Sequence, residues 1–196
     1  LPCGTLGDAR RNHPAENHGL KIHLDGARVW NAAVALGVPV SSITAYVDSV
    51  SVCLSKGLAA PVGSVLCGGH DFIERARIWR KRLGGGMRQA GILAACGLVA
   101  IDKMVDRLAE DHRRAKALSD ALAELPGLKP IPAQTNILVV ETAASAETWV
   151  TFLEESGVRC FAFGPNRIRL VFHKDIEDTG LEYAIGKFRD LAVTLA

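Results

Sequence analysis

Residues 48–57 read DSVSVCLSKG, and residues 20–28 read LKIHLDGAR. The first stretch alternates small polar with apolar residues up to Leu54, as a strand in a covered sheet would, and stops abruptly at Ser55, Lys56 and Gly57. The second is a short apolar run that reaches Asp25 before the turn Gly26, Ala27 and Arg28. Between them Val29 to Leu36 can form a short helix, stopped by Gly37 and Pro39. Strand, helix and strand in this order predict an α/β protein, in which ligands bind beyond the carboxyl ends of the strands. Asp25 and Lys56 are both expected at that edge.

Outward from this pair, 62–67 reads as a third strand, closed by Gly68 and Gly69. Asp71 is the expected N-cap of a helix reaching Arg82, which Gly84, Gly85 and Gly86 terminate. Helical periodicity then runs from Arg88 to about Leu125 as two helices. Pro126, Gly127, Pro130 and Pro132 mark a boundary. Beyond it come a strand at 136–140, a helix at 146–156, strands at 158–163 and 167–172, and a final helix from Asp175 to Leu195. The expected organisation is a polar arm over 1–19, an α/β domain with its connecting helices over 20–125, and a small α+β domain over 126–196.

Composition narrows the function classes. The chain has 196 residues, 48% apolar and 22% charged, enough to bury ~70% of the surface its unfolded form exposes. Its 23 basic and 21 acidic residues leave a net charge of +2, with no global field to draw in nucleic acid or an anionic membrane. The longest apolar stretch, 91–101, is too short to span a bilayer, and no signal peptide is visible at the start. Cys3, Cys53, Cys67, Cys96 and Cys160 are odd in number and include no CxxC pair. Reduced, core-filling thiols in a cytoplasmic compartment are expected, with neither a disulfide framework nor a metal site. Arg75, Arg77, Arg80, Lys81 and Arg82 lack aromatic platforms beyond Trp79, so they read as a solvated or interface helix and not as a nucleic-acid patch.

The chemistry available to Asp25 and Lys56 is specific. A lysine closing a buried strand is expected to be desolvated, which lowers its pKa and makes the amine a nucleophile toward a carbonyl. A carboxylate in the same cleft suits a pyridinium nitrogen, because it keeps the ring protonated. An ordinary salt bridge at a strand edge would present the same two residues. His23 shares the strand face of Asp25 and either supports that carboxylate or is a satisfied core histidine.

Three stretches, HLDGARVWNAAVALG (23–37), DSVSVCLSKGLAAPVGSVLCG (48–68) and RKRLGGGMRQAG (80–91), together with RIRLVFHKDI (167–176), closely resemble the low-specificity threonine aldolases. These are fold-type-I enzymes with an aspartate-aminotransferase-like architecture and pyridoxal 5'-phosphate as cofactor. The resemblance implies a partial large domain of that architecture followed by the small α+β domain. It implies that Lys56 resembles the Schiff-base lysine and Asp25 the partner of the pyridine nitrogen. Arg28 resembles the arginine near the cofactor's phenolic oxygen and the substrate carboxylate. Arg169 resembles the small-domain arginine that binds that carboxylate, a task suited to a forked guanidinium. Arg167 lies on the same strand face by period two, and pattern alone does not separate the two. Arg88 is expected to reach the cofactor phosphate, although the glycines before it also serve as a helix C-cap.

The resemblance covers nearly everything after residue 19 but only the C-terminal half of the family's length, so the chain is expected to be a fragment. The strands, phosphate-binding turn and stacking histidine that the family's other half supplies have no counterpart here. The implied activity is cleavage of a small β-hydroxy amino acid, L-threonine or L-allo-threonine, to glycine and acetaldehyde, weak in this chain alone. The implied assembly is the homo-oligomer of the full-length family. Two alternatives stay open: a β-eliminating lyase on the same fold, and a non-catalytic remnant acting as an interaction subunit.

Overall fold

The structure is a computed structural model that describes Ala15 and residues 18–195. The arm expected over 1–19, with Cys3, otherwise lies outside the described residues. The chain divides into two compact units, Leu1–Asp106 and Arg107–Ala196.

The first unit is built around the two stretches that opened the reading. β1 (His23–Gly26) and β2 (Ser49–Cys53) pair in parallel, with His23 opposite Ser49 and Asp25 opposite Ser51. Parallel strands need a crossover, which α1 (Val29–Leu36) and α2 (Val40–Thr44) supply. Gly37, at φ +64°, ends α1 by donating to the carbonyls of Ala33 and Val34. Val29, Val50 and Val52 are buried together, and Leu24, Trp30, Val40, Ile43 and Val47 pack against them. Gly26 is required by close approach: a Cβ there would lie 2.7 Å from Val50 Cγ2 and 3.0 Å from the Ser51 carbonyl. β3 (Ser64–Gly68) is antiparallel to β2, giving the sheet order β1-β2-β3, and all five of its residues are exposed.

α3 (His70–Arg82) and α4 (Gly91–Lys103) complete this unit. Gly69, not Asp71, occupies the N-cap of α3, and no side chain caps it. Asp71 stands in the first turn, where its charge complements the helix dipole. Gly84, at φ +82°, follows the helix end as expected.

In the second unit α5 (Leu108–Ala123), α6 (Ala146–Glu155) and α7 (Asp178–Leu195) accompany a four-stranded antiparallel sheet, ordered β4-β5-β7-β6. Its strands are β4 (Leu128–Ile131), β5 (Ile137–Thr142), β6 (Phe161–Ala162) and β7 (Arg167–Val171). Leu138 and Val140 of β5 and Ile168 and Leu170 of β7 point into a core with Leu118, Leu122, Trp149 and Phe188. Trp149 and Phe188 stack with ring centroids 5.8 Å apart. The helix 108–123, which the proline-rich boundary groups with the preceding domain, buries Ala115, Leu118 and Leu122 in this core. β4 was not expected, because Pro130 reads as a break; it is an edge strand, where a missing N–H is tolerated. The strand expected over 158–163 shrinks to Phe161–Ala162.

Candidate functional site

Parallel pairing carries the carboxyl ends of β1 and β2 to one edge of the first sheet, so Asp25 and the Lys56 loop emerge side by side. Asp25 Oδ1 accepts from the Ala27 amide at 3.2 Å, a local turn that holds the carboxylate and leaves its other oxygen open. His23 Nδ1 and Ser49 Oγ share a hydrogen bond at 2.9 Å, which ties β1 to β2 on this same face. Of the two roles open to His23, the structure shows neither a core histidine nor a bond to Asp25. Ser49, Ser51 and Cys53 fill the face of β2 beside Asp25 with small side chains.

The Lys56 side chain has no hydrogen bond or ion pair among the described residues, and it is exposed, as is Asp25. The expected desolvation of the lysine is therefore not met. The loop projects past the end of β2, and none of the described residues closes over it. What the described residues do supply is a rigid mount. Leu54 N donates to the Gly63 carbonyl at 3.0 Å, Ala60 N to the Leu54 carbonyl at 3.0 Å, and Ala59 N to the Lys56 carbonyl at 2.8 Å. Leu58 is buried, and Ala59 has φ +56°. Nothing in an alanine signals this left-handed turn, and sequence reasoning missed it.

Cys53 lies beneath the loop, its thiol donating to the Gly63 carbonyl at 3.8 Å and lying 3.5 Å from Ser55 Oγ. Burial pushes this thiol's pKa up, but hydrogen bonds with Ser55 and Ser64 and the Lys56 charge outweigh it and lower the pKa overall.

The arginines separate by location. Arg28 occupies the N-cap of α1, half-buried, its carbonyl accepting from Ala32 N at 3.1 Å. Arg88 is exposed in the loop before α4, next to Gln89 at φ +51°. Arg169 is half-buried on β7 in the second unit, with Val139 and Phe161 as register neighbours and no ion pair among the described residues. Arg167, two residues earlier on that face, is bound to Glu141. A hollow of about 340 Å3 on the second unit, lined by Leu118, Val158, Leu170 and Phe172 among others, includes none of the nominated residues.

Residues 9–145 match the family model described as beta-eliminating lyase. The chain is 42% identical over 187 residues to "Low-specificity L-threonine aldolase 1" of Arabidopsis thaliana, covering 92% of this chain and 52% of that protein. It is 44% identical over 158 residues to the low specificity L-threonine aldolase of Escherichia coli K12, covering 80% of this chain and 46% of that protein. Among solved structures, a putative L-allo-threonine aldolase from Listeria monocytogenes superposes with a TM-score of 0.75 at 25% identity, over 90% of this chain and 53% of that one. Threonine aldolase from Leishmania major shares the fold, with a TM-score of 0.73 at 21% identity over 91% of this chain and 54% of that one. The chain spans about half the length of the relatives it matches.

Proposed function

The chain belongs to the beta-eliminating lyase family, and from that premise we propose that it serves the cleavage of L-threonine or L-allo-threonine to glycine and acetaldehyde, with pyridoxal 5'-phosphate as cofactor. The observation that carries this reading is the emergence of Asp25 and Lys56 from the carboxyl ends of adjacent parallel strands. The printed names of the relatives support the substrate class. Because the chain spans about half their length, the reading concerns the part of the site built by these residues.

The residues fit the cofactor. Asp25 has an open carboxylate oxygen, Lys56 an exposed amine, and the intervening face of β2 carries only small side chains. When bound, the cofactor would supply an electron-withdrawing ring able to take up the electron pair of the substrate's Cα–Cβ bond. Lys56 would hold the cofactor through its Nζ. Asp25 would face the ring nitrogen and favour its protonated form. Arg28 and Arg169 are each proposed as ligands of the substrate carboxylate, a role that suits the forked guanidinium of Arg169. Arg88 assists at the cofactor phosphate. The four described cysteines are free thiols, and a cytoplasmic setting is part of the proposal. No helix among the described residues is long and apolar enough to cross a membrane.

Mixing the purified chain with pyridoxal 5'-phosphate, reducing with borohydride and mapping peptides tests the reading. Label is expected on Lys56 and absent from Lys56→Ala. Label confined to Lys81 or Lys103 would overturn it. Product analysis then separates aldol cleavage, which yields glycine and acetaldehyde, from β-elimination, which yields a keto acid and ammonia. Turnover is expected to fall far below that of a full-length relative, since positioned general-base catalysis alone is worth ~10^2–10^4-fold and no described residue fills that role.

A further inference from the structure

Two non-glycine residues have left-handed backbone among the described residues, Ala59 at φ +56° and Gln89 at φ +51°. Left-handed backbone strains any residue with a Cβ, and such strain persists only where the surroundings enforce it, often at functional sites. Ala59 lies three residues after Lys56, and Gln89 directly follows Arg88, so both outliers adjoin residues nominated for the site. For Ala59 the geometry explains the coupling. Its amide closes the turn onto the Lys56 carbonyl at 2.8 Å, and its φ reverses the chain so that the next amide, Ala60 N, reaches the Leu54 carbonyl at 3.0 Å. Leu54 is itself anchored through its amide to the Gly63 carbonyl at 3.0 Å. Lys56 sits inside these nested rings, with buried Leu54, Leu58 and Ala60 around it. A right-handed or extended residue 59 would break the outer ring and free the backbone that carries the lysine.

We infer that Ala59 is a positioning residue for Lys56, acting through its left-handed backbone and not through its side chain. The inference rests on the reading of Lys56 as the cofactor lysine. It predicts that residue types are ranked at position 59 by their tolerance of positive φ: Gly and Asn are accepted, whereas Val, branched at Cβ, is not.

The test uses the full chain with pyridoxal 5'-phosphate under borohydride. The amine condenses with the aldehyde carbonyl, losing water, and hydride converts the carbon–nitrogen double bond to a stable secondary amine that peptide mapping locates. The readout is the ratio of label on Lys56 to label on exposed Lys103, which a general loss of stability does not favour in either direction. Far-UV circular dichroism confirms that each variant is folded. The expected result is a ratio within about twofold of the parent for Ala59→Gly and Ala59→Asn, and a fall of about fivefold or more for Ala59→Val. Should Ala59→Val fail to fold, Ala59→Leu, unbranched at Cβ, carries the same comparison with a smaller fall. A parent-like ratio in a folded Val or Leu variant overturns the inference while leaving Lys56 in place. A parent chain that labels Lys56 no more than Lys103 overturns the reading of Lys56 and this inference with it.

Discussion

Arg167 donates from Nε and Nη2 to the same carboxylate oxygen of Glu141, Oε1, at 3.2 and 2.7 Å across the β5–β7 pair. Both side chains rise from the solvent-side face of the second sheet, which Arg169 shares. The pair commits Arg167 to a partner within the fold and leaves Arg169, between Val139 and Phe161 in the register, as the open guanidinium of that face. The two arginines are equivalent by period, and it is cross-strand geometry that tells them apart.

Arg169 and Arg167 should therefore respond differently to substitution. In the cofactor-loaded chain, titration with L-allo-threonine followed by visible absorbance measures substrate binding. Arg169→Lys should weaken binding by about tenfold or more, because a point charge cannot reproduce a two-pronged contact worth roughly 1.5–3 kcal/mol. Arg167→Ala should stay within about twofold. The reverse ranking would give the carboxylate to Arg167.

The legibility of the chain follows the range of the interactions involved. β1 and β2 were readable because alternation and the charged stops at Asp25 and Lys56 are local signals. The α/β unit followed by an α+β unit was readable for the same reason. β4 was hidden by Pro130, whose lack of an N–H is harmless only because the strand lies at an edge. Helix 108–123 was grouped with the wrong neighbours, since its apolar stripe does not say which sheet it covers. Glu141 lies 26 residues from Arg167, beyond any local pattern. Exposure of Lys56 was unreadable too: an apolar run predicts a covered strand, not what covers the loop beyond its end.

The start of α5 holds a second testable pair. Arg107 Nη1 donates to Asp111 Oδ1 at 3.0 Å and Nη2 to Oδ2 at 2.5 Å, and the Asp111 side chain is 0% exposed. Removing one member of such a pair strands the other charge, typically at about 3–5 kcal/mol. Asp111→Ala should destabilise the second unit by that order, read as faster amide exchange at Leu138 and Val140. Replacing both partners by apolar residues of similar size should recover most of the loss. An Asp111→Ala chain with parent-like exchange would show that the pair contributes little.

Asp178, in the first turn of α7, gives a pH signature. Hydrogen bonds from Arg113 Nη2 at 2.6 Å and Arg114 Nε at 2.9 Å, with the charges of both arginines, hold its carboxyl below the usual carboxylate range. A depressed folded-state value means the stabilisation is fully present above the unfolded carboxylate's ordinary pKa of about 3.9 and is lost as pH falls through the lower folded value. Asp178→Asn should thus lower the melting temperature at pH 7, and the two chains should converge once the pH falls below the depressed folded value. A gap that persists unchanged into acid would assign the effect to packing and not to charge.

Self-association is the last expectation, and it too has a sign that can be checked. Among the described residues β3 pairs only with β2 and its outer edge is unpaired, and every one of its residues is exposed. Such edges template pairing with other chains. α3 and the residues after it add exposed apolar side chains, with Ile78, Trp79, Leu83 and Ile92 all more than half exposed and Leu83 81% so. Monomers rarely leave apolar patches beyond roughly a few hundred Å2 uncovered, so the isolated chain is expected to associate. Arg75, Arg77, Arg80, Lys81 and Arg82 lie on α3 as well. Two copies meeting there bring like charges together, a repulsion that salt screens while apolar burial is retained. Association should accordingly strengthen as ionic strength rises from about 0.05 M toward 0.5 M, where the Debye length shrinks to a few ångströms. Light scattering at fixed protein concentration measures it. Val65→Lys, which puts a charge on the β3 edge, should shift the chain toward monomer, because edge lysines block strand pairing. A chain that stays monomeric at every salt concentration, or a Val65→Lys variant that associates like the parent, would show that the β3 edge is not the surface through which copies meet.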